Sequence, residues 1–470
     1  MEKDFSGLSV AGKRRAHFIG IGGVSLSGLA QVLLARGWRV SGSDLSDSPL
    51  VARLRGLGAQ VFIGHRGENL PEVDLVVQSD AIGADNPELI EARKRGLTVL
   101  RRSQLLSELT AELRTIAVSG THGKTTTTAM IATLLAQAGL SPTMFLGGEY
   151  PPLGGNVAVG RGEWAVVEAC EAFSSFLDLT PTIAVILNIE AEHLDYHGSE
   201  EALRAAFLEF LRRVKPEGAA VICADDPDLV SLVRQASLKR IVDYSVESEA
   251  AFRAADIVLG PAGSEFVLQH SGQAVAPVTL QTPGIHNVSN ALAALAAASL
   301  AGVDLKIAAA ALADFRGVKR RTELIARARG ITILDDYAHH PTEIAAVFAA
   351  VRQRFPGRLL VVFQPHLYSR TQTFLRQFAE VLSTADLTWV TDIYPAREAP
   401  LPGVNSGRIA ELAQQEFGGK VEYLPFDAVV SAVLQQAQEG DIVITMGAGD
   451  VERIAGGLAE SLSDDSAARR

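Results

Sequence analysis

Short runs of apolar residues alternate with longer amphipathic stretches along nearly the whole chain. Apolar runs separated by helical patterns are typical of βα units, which place their strands side by side in parallel sheets. The pattern restarts near residues 111 and 321, so it predicts three α/β blocks over residues 1–110, 111–320 and 321–470. A chain of 470 residues is too long for one hydrophobic core, which agrees with two to four domains.

Each block is predicted to open on a buried strand. The first block is predicted to have a strand within AHFIGIGG, a helix near Val24–Arg36 and a strand at Trp38–Gly42. The second is predicted to have a helix at Lys124–Ala138 and strands at Thr115–Gly120 and near Trp164–Glu168, Thr182–Leu187 and Gly218–Cys223. The third is predicted to have strands at Ile331–Asp335, Arg358–Phe363, Leu387–Thr391 and Asp441–Met446.

Composition narrows the class of protein. Net charge is −11, which argues against a partner that is a nucleic acid or an anionic membrane, so an anionic ligand must be held by local loops and basic side chains. The two cysteines, Cys170 and Cys223, cannot form a disulfide framework or a thiolate metal site, and they fit a reducing cytoplasm. No uncharged apolar run reaches about 18 residues, and the first residues do not resemble a secretory signal, so no membrane span is expected.

A glycine-rich loop, Gly20-Ile21-Gly22-Gly23-Val24-Ser25, follows the first predicted strand and opens a helix. Backbone amides at such a turn can hold a phosphate, and Asp44 at the end of the next strand can accept from a ribose hydroxyl. Ser25 occupies the third glycine position of the dinucleotide fingerprint, so the loop favours a nucleoside diphosphate over NAD. The alternative is a tight turn that binds no ligand.

A second loop, Ser119-Gly120-Thr121-His122-Gly123-Lys124-Thr125-Thr126, lies between a predicted strand and a predicted helix. Lys124 can pair with the β- and γ-phosphates of a nucleotide, and the Thr125 hydroxyl can reach Mg²⁺, as in P-loop proteins. The loop is shorter than the common form, because Val118 stands where that form has glycine. Two phosphate loops on separate domains imply two phosphorylated ligands.

Acidic and amide side chains of the second block are further candidates. Glu168 ends a predicted strand, where ligands gather in α/β sheets, and it could face Mg²⁺ together with His193. Glu171, Glu190 and Asp195 compete for that role, and structural roles are the alternative for Glu168 and His193. Asn287 and Asn290 share one helical face and suit the edge of adenine, although a helix cap is a strong rival.

The third block carries polar clusters after two of its strands. One is Asp336-Tyr337-Ala338-His339-His340-Pro341-Thr342-Glu343, and the other runs from Phe363 to Arg370. Arg370 could clamp a carboxylate through two hydrogen bonds. We expect the two strand ends to be adjacent, which would bring both clusters to one site.

Taken together, these stretches resemble the Mur ligase family over almost the whole chain, from about His17 to Asp450. The distinctive segments are HFIGIGGVSLSGLA, SGTHGKTTTTAM, LNIEAEHLDYHG, GIHNVSNALAA, DDYAHHPTE, FQPHLYSRT and DIYPAREAP. The resemblance is strongest to the members that add alanine. It implies a cytoplasmic, ATP- and Mg²⁺-dependent enzyme of peptidoglycan synthesis that joins L-alanine to the carboxylate of UDP-N-acetylmuramate through an acyl phosphate.

The resemblance also implies a fold and a set of site residues. The fold is a Rossmann-like UDP-binding domain, a central P-loop ATPase domain with a mainly parallel sheet, and a Rossmann-like C-terminal domain that closes over the site, as a monomer or weak homodimer. UDP-sugar contacts are expected at Gly20, Gly22, Gly23, Ser25, Asp44, His65, Ser79 and Tyr337. ATP contacts are expected at Gly120, Thr121, His122, Gly123, Lys124, Thr125, Thr126, Asn287, Asn290, Arg321 and Asp336. Metal ligands are expected at Thr125, Glu168 and His193, and catalytic roles at Lys124, His339 and Arg370.

Three departures from the family pattern qualify this picture. Ala172 and Phe173 stand in a segment that is more acidic in many members, and Leu367 stands where some carry a second arginine. Phe207 occupies the position of the carbamylated lysine used by relatives that add later peptide residues, which favours the alanine-adding branch. The alternatives are a recycling ligase that attaches a whole tripeptide, an NAD-dependent dehydrogenase and a non-catalytic sensor of UDP-sugars.

Overall fold

Five parallel strands form the first sheet of the protein, a computed structural model that describes residues 12–79, 82–190, 194–260, 263–396 and 398–467. The strands are β1 (Arg15–Ile19), β2 (Arg39–Asp44), β3 (Gln60–Ile63), β4 (Leu75–Gln78) and β5 (Thr98–Arg101). The helices are α1 (Val24–Ala35), α2 (Pro49–Gly56), α3 (Pro87–Lys94) and α4 (Arg102–Thr110). The strand order is β3-β2-β1-β4-β5, and the order reverses beside β1, so the first glycine loop lies where such sheets bind ligands.

A ten-stranded sheet forms the centre of the chain. Its strands are β6 (Arg114–Ser119), β7 (Thr143–Tyr150), β8 (Gly155–Ala158), β9 (Trp164–Glu168), β10 (Ile183–Ile186), β11 (Ala219–Cys223), β12 (Ile241–Ser245), β13 (Phe252–Gly260), β14 (Gly263–His270) and β15 (Gln273–Leu280). The order is β15-β14-β13-β12-β11-β10-β6-β9-β7-β8. The helices are α5 (Lys124–Gln137), α6 (Leu194–His197), α7 (Glu200–Arg212), α8 (Pro227–Arg234), α9 (Ile285–Leu300) and α10 (Leu305–Ala311). Strand β6 is buried from Thr115 to Ser119, as expected for a parallel strand covered by helices on both faces.

The third sheet has six strands in the order β16-β17-β21-β18-β19-β20. They are β16 (Glu323–Ala328), β17 (Ile331–Asp336), β18 (Leu359–Phe363), β19 (Leu387–Val390), β20 (Val421–Tyr423) and β21 (Ile442–Met446). The helices are α11 (Pro341–Arg354), α12 (Tyr368–Thr373), α13 (Leu375–Leu382), α14 (Gly407–Phe417), α15 (Val429–Gln436) and α16 (Glu452–Ala467). Alternate residues of β18 enter two separate cores: Val361 and Phe363 pack towards α11, α13 and α14, whereas Leu360 and Val362 pack towards α15 and α16.

The chain forms two compact units. One contains the described residues within Met1–Asp256, Phe266–Thr279 and Val288–Phe315, and the other contains those within Ile257–Glu265, Leu280–Asn287 and Arg316–Arg470. The first unit therefore includes both glycine loops, and the second includes the whole third sheet. Among the described residues, no helix combines the length and the apolar character that crossing a membrane requires.

The predicted α/β class with mainly parallel sheets is confirmed, and each predicted strand and helix is present with its ends shifted by a few residues at most. The expectation that the strands before the two C-terminal polar clusters are adjacent is wrong. Strand β21 pairs with both β17 and β18 and separates them. Strand β21, from the C-terminal end of the chain, lies between β17 and β18, which follow each other in sequence. The local pattern of neither β17 nor β18 indicates this position.

Candidate active site

The first glycine loop is held by backbone hydrogen bonds to β2. The amides of Gly20 and Ile21 donate to the carbonyl oxygen of Ser43 at 2.8 and 3.0 Å, and the amide of Gly22 donates to Asp44 Oδ2 at 2.8 Å. A Cβ at Gly22 would lie only 2.9 Å from Asp44 Oδ2, so this approach requires glycine. The predicted ribose acceptor, Asp44, therefore also fixes the shape of the loop.

A buried carboxylate, Glu88, supports the same loop from within the first sheet. It accepts hydrogen bonds from His17 Nε2 at 3.1 Å, Ser43 Oγ at 2.5 Å, the Arg66 amide at 3.0 Å and Asn69 Nδ2 at 3.1 Å. His65, a predicted UDP contact, reaches this network because its Nδ1 lies 2.9 Å from Ser43 Oγ. Burial raises the pKa of Glu88, but the hydrogen bonds, led by that from His17, outweigh it and leave the pKa below its ordinary value.

The phosphate loop is fastened to the segment that follows β10. The Thr121 amide donates to the carbonyl oxygen of Asn188 at 3.1 Å, and the His122 amide donates to Asn188 Oδ1 at 2.8 Å. The Glu190 amide donates to Thr121 Oγ1 at 2.8 Å, and the side chains of His122 and Glu190 pair at 3.3 Å. Gly123, with φ of 82°, caps the start of α5. The loop shape is thus set before any ligand arrives.

Lys124 begins α5 and turns back over its own loop. Its Nζ donates to the carbonyl oxygens of Gly120 and Thr121 at 2.6 and 2.9 Å, and to Glu171 Oε1 at 3.0 Å. The Glu171 side chain is 1% exposed. Glu171 appeared in the sequence only as one of several rival metal ligands, and its contact with Lys124 crosses 47 positions of the chain.

Oxygen donors for a divalent cation lie at the ends of neighbouring elements. Thr125 is in the first turn of α5, and Glu168 ends β9, where its Oε2 accepts from the Gly147 amide at 2.8 Å. Hydroxyl and carboxylate oxygens are the donors that Mg²⁺ prefers, so this set fits that ion. His193, the third expected ligand, lies outside the described residues. Thr126, buried beside Thr125, completes the first turn.

A cavity of about 400 Å³ in the first unit, here the loop cavity, lies between the first glycine loop and the carboxyl end of β9. Ser25 and Ser79 line it from the first domain, and Asn156, Glu168 and Cys170 line it from the central domain. Burial, followed by the charge of Glu171, raises the pKa of the Cys170 thiol to about 12, so the thiol is neutral. Asn156 was not identified from the sequence, because a single asparagine in a hairpin carries no distinctive signal.

The two candidate asparagines of α9 occupy different surroundings. Asn290 faces the phosphate loop, because a Cβ on Gly123 would lie 2.5 Å from its Oδ1. Asn287 belongs to the second unit, and its Nδ2 donates to the carbonyl oxygen of Pro283 at 2.8 Å. Neither is the N-cap of α9, since the helix begins at Ile285.

Five residues of the second unit form the C-terminal polar cluster: Tyr337, His339, Glu343, His366 and Arg370. His339 Nδ1 donates to the carbonyl oxygen of Tyr337 at 2.9 Å, and the His339 and His366 rings lie 6.0 Å apart. Arg370, which is buried, donates from Nη1 to His366 Nδ1 at 3.0 Å. Strand β21 lies between β17 and β18, but the two predicted polar segments still meet. The loops that follow these strands bring His339 and His366 together.

Asp336 and Arg321, both expected at ATP, frame this cluster. Asp336 Oδ2 accepts from the Thr322 amide and hydroxyl at 2.6 and 3.0 Å, and Oδ1 accepts from the Ala338 amide at 2.7 Å. Burial raises the pKa of Asp336 above its ordinary value. The Arg321 guanidinium lies 5.4 Å from the centre of the Tyr337 ring. Asp336 therefore shapes the connection into the third sheet, whatever ligand it also meets.

Departures from the family pattern have clear structural counterparts. Phe207 is fully buried in α7 and packs edge-on against Phe176 at 5.2 Å, so an aromatic cluster occupies the position of the modified lysine. Leu367 is 4% exposed and has φ of 71°, a conformation uncommon for a branched side chain. Its position just before α12 therefore contributes apolar packing and no positive charge.

The chain has three α/β domains, with the first glycine loop and the phosphate loop on separate sheets. This combination defines a class of nucleotide-binding enzymes. Residues 15–114 match the family model described as Mur ligase family, catalytic domain, residues 118–298 match the Mur ligase middle domain, and residues 320–449 match the Mur ligase, glutamate ligase domain. The chain belongs to the Mur ligase family.

Relatives of similar length match this chain over nearly its whole sequence, and two solved structures match its fold. The UDP-N-acetylmuramate–L-alanine ligase of Syntrophus aciditrophicus is 43% identical over 96% of this chain and 94% of its own. That of Pelotomaculum thermopropionicum is 44% identical over 93% and 95%. The crystal structure of UDP-N-acetylmuramate-alanine ligase from Thermotoga maritima matches with a TM-score of 0.82 at 29% identity, covering 96% and 99% of the two chains. A murein peptide ligase from Psychrobacter arcticus matches with a TM-score of 0.73 at 28% identity, covering 96% and 98%.

Proposed function

We propose that this protein joins L-alanine to the carboxylate of UDP-N-acetylmuramate at the expense of ATP, in peptidoglycan precursor synthesis in the cytoplasm. The observation that carries the proposal is the loop cavity, which lies between the first glycine loop and the carboxyl end of β9 in the same unit as Lys124. Relatives that are 41–44% identical over at least 93% of this chain and named for this reaction support it.

ATP is assigned to the phosphate loop. Gly120, Thr121, His122, Gly123 and Thr126 would surround its phosphates, and Lys124 would neutralise the transferred group. Asn290, which faces the loop, is assigned to the same ligand, together with Asn287, Arg321 and Asp336 of the second unit. In this proposal the UDP-binding domain spans residues 1–110, the ATP-binding domain 111–320 and the C-terminal domain 321–470. The protein would act as a monomer or weak homodimer.

UDP is assigned to the first glycine loop. Gly20, Gly22 and Gly23 would present backbone amides to the diphosphate, and Asp44 and His65 would meet the nucleoside. Ser25 and Ser79 line the loop cavity, so the muramoyl group would extend from the diphosphate towards Glu168. This direction leads the sugar carboxylate towards the phosphate loop.

The chemistry requires activation of a carboxylate, because a free carboxylate has no good leaving group. The muramoyl carboxylate oxygen attacks the γ-phosphorus of ATP, the bond to the β-phosphate oxygen breaks, and an acyl phosphate and ADP form. The amine of L-alanine then attacks the acyl carbon, and inorganic phosphate leaves with the bonding electrons. Lys124 stabilises the charge of the transferred phosphoryl group in a fixed electrostatic environment, which is the largest contribution in such reactions.

Thr125 and Glu168 are the residues that would hold Mg²⁺, with His193 as the third ligand implied by family resemblance. Bound there, Mg²⁺ would supply charge neutralisation for the phosphates. Exclusion of water from the loop cavity when the substrates are bound would protect the acyl phosphate from hydrolysis.

The C-terminal polar cluster is assigned to L-alanine. Arg370 would bind the amino acid carboxylate, Tyr337 would lie near the muramoyl group, and His339 would accept the proton of the amine. Because His339 Nδ1 already donates to a carbonyl oxygen, any proton from the amine would go to Nε2. Leu367 leaves Arg370 as the single arginine at this position.

A recycling ligase that attaches a tripeptide is the rival function within the family. The higher TM-score of the alanine ligase, 0.82 against 0.73, favours the alanine reaction. Release of phosphate from ATP should require UDP-N-acetylmuramate together with L-alanine. Release with the tripeptide but not with alanine would assign the protein to recycling. Absence of release with either acceptor, combined with stabilisation by NAD, would favour a dehydrogenase, and stabilisation by the UDP-sugar alone would favour a sensor.

A further inference from the structure

The helix that carries Arg370 begins without a capping side chain of its own. Helix α12 begins at Tyr368, and its N-cap residue is Leu367, whose side chain has no oxygen atom. The amides of the first helical turn have no partner within a helix, so a side-chain oxygen beside the helix usually accepts from them. Arg370 is assigned to the carboxylate of L-alanine, so an inference about this helix rests on the proposed function.

Glu398 supplies the missing acceptor from a different loop. Its Oε2 accepts from the Ser369 amide at 2.9 Å, and its Oε1 accepts from the Ser369 hydroxyl. Glu398 lies 29 positions further along the chain than Ser369, in the loop that follows β19. Hydrogen bonds to an ionised carboxylate are stronger than those between neutral groups, so this pair of contacts fixes the first turn of α12.

The loop after β19 also holds the segment that leads into α12. The Tyr394 amide donates to the carbonyl oxygen of Pro365 at 2.8 Å, and the Leu367 amide donates to the carbonyl oxygen of Tyr394 at 3.0 Å. The rings of His366 and Tyr394 stack with 5.8 Å between their centres and 13° between their planes. Together with Glu398, these contacts hold the chain on both sides of Leu367.

Leu367 itself has an unfavourable backbone conformation. Its φ is 71°, and a residue with a Cβ keeps such a conformation only where the surrounding contacts hold it. Arg370 follows three positions later, and its Nη1 donates to His366 Nδ1 at 3.0 Å. The turn at Leu367 and the start of α12 therefore determine together where the Arg370 guanidinium lies.

We propose that Glu398 is a positioning residue for the amino acid substrate, because its contact with Ser369 at the start of α12 holds Arg370 in the orientation that binds the carboxylate of L-alanine. Glu398 acts through Ser369 and the helix backbone, not through contact with the substrate. A guanidinium binds a carboxylate through two parallel hydrogen bonds, which tolerate little change of direction. Loss of Glu398 therefore weakens the binding of alanine and leaves the binding of both nucleotides unchanged.

The test is steady-state phosphate release by the full chain, with L-alanine varied at saturating ATP, Mg²⁺ and UDP-N-acetylmuramate. Glu398→Ala should raise KM for L-alanine about tenfold, as expected for loss of hydrogen bonds to a charged group. The kcat should stay within about twofold of the wild type, because the lost interaction acts on binding of alanine. KM for ATP and KM for the UDP-sugar should stay at their wild-type values. Glu398→Gln keeps one acceptor for Ser369, so its KM for alanine should lie between those of the wild type and Glu398→Ala.

Asp386→Asn is the matched control. Asp386 Oδ2 also accepts from a backbone amide of the second unit, that of Leu359 at 2.8 Å, but at the opposite end of β18 from Arg370. Its KM for L-alanine should stay at the wild-type value, because the start of α12 is intact.

A double substitution shows whether Glu398 acts through Arg370. In an Arg370→Ala background, Glu398→Ala should change kcat/KM for L-alanine by less than about twofold, because the residue that it positions is gone. If Glu398→Ala does not fold, Ser369→Ala removes one donor of the same contact and should raise KM for L-alanine to a smaller extent.

Three results would overturn the proposal. One is an unchanged KM for L-alanine in folded Glu398→Ala or, where that variant does not fold, in Ser369→Ala. Another is an equal rise in Asp386→Asn, or an equal rise of KM for ATP or the UDP-sugar. The third is a full effect of Glu398→Ala in the Arg370→Ala background. Failure of the proposed function gives a different pattern, since the wild-type protein would then release no phosphate in response to L-alanine.

Discussion

Side chains around the phosphate loop form pairs between a basic and an acidic residue. Lys124 meets Glu171 on one side, and His122 meets Glu190 on the other. The side chains of Lys124, Glu171 and His122 are largely buried, whereas that of Glu190 is partly exposed. Burial in a low-dielectric surrounding strengthens the interaction of a charged group with any phosphate that approaches. Within the loop, Lys124 is the residue assigned to neutralise the charge of the transferred phosphoryl group.

Replacement of Lys124 by alanine should lower kcat at least about 100-fold, which corresponds to about 2.7 kcal/mol at 1.36 kcal/mol per decade. The reason is loss of charge stabilisation on the transferred group. Steady-state phosphate release with saturating substrates measures it. Lys215→Ala removes a lysine of the same unit whose Nζ donates to the Leu113 carbonyl oxygen at 3.4 Å, and it should retain wild-type kcat. Near-normal turnover in Lys124→Ala would falsify the assignment of the phosphate loop.

At the scale of elements, the first glycine loop is stable because three elements share one buried carboxylate. Glu88 of α3 binds His17 of β1 and Ser43 of β2, and the Ser43 carbonyl oxygen in turn accepts from the loop amides. A buried network in which each member has a partner fixes geometry, but it is costly when one partner is lost. The shape of the proposed UDP site therefore depends on Glu88, which lies outside the loop itself.

The pH dependence of unfolding should report this network. The folded pKa of Glu88 lies below its ordinary value of 4.5, so its contribution is complete above pH 4.5 and is lost as pH falls through the folded pKa. Glu88→Gln should cost about 1–3 kcal/mol near neutral pH, because the buried donors lose their ionised acceptor. Denaturant unfolding from pH 7 downwards should show the gap between wild type and Glu88→Gln closing below pH 4.5.

Glu91→Gln is the matched control, since Glu91 is in the same helix but its side chain is partly exposed and pairs with Arg95. Its unfolding curve should stay close to that of the wild type. A gap for Glu88→Gln that stays constant down to pH 3 would contradict a role for the ionised carboxylate.

The local pattern of apolar and polar residues predicted most strands and helices, but it predicted their order in the sheets only in part. Both strand–loop–helix units were predictable because short apolar runs lead directly into glycine loops. The strands β13, β14 and β15 were not predicted. Strand β15 ends one side of the sheet and is buried only at Val278 and Leu280, so it has no continuous apolar run. The position of β21 between β17 and β18, and the meeting of Lys124 with Glu171, depend on contacts distant in sequence. Periodicity contains no information about such contacts.

For the whole molecule, net charge is −11, and both proposed ligands are anionic. Long-range attraction therefore cannot draw them in, and affinity must come from backbone amides and a few basic groups at short range. The two loops use separate strands, β1 and β6, in separate sheets. Each ligand should consequently stabilise the protein through its own loop.

This independence is testable by ligand-linked unfolding. A ligand that binds only the folded state stabilises it by about 2.7 kcal/mol at about 100 times its Kd, so UDP and ADP should each raise the melting temperature. Gly22→Ala places a Cβ 2.9 Å from Asp44 Oδ2 and Val51 Cγ2 and should remove the response to UDP while preserving that to ADP.

Gly56→Ala is the matched control: Gly56 ends α2, and a Cβ there meets no atom of the described residues within 4 Å, so both responses should persist. Lys124→Ala should show the opposite selectivity to Gly22→Ala, with the ADP response reduced and the UDP response retained. Because each substitution changes one loop and the readout is the whole folded protein, crossed losses can arise only if the loops bind different ligands. Joint loss of both responses in Gly22→Ala, with Gly56→Ala normal, would mean instead that the two loops serve one ligand.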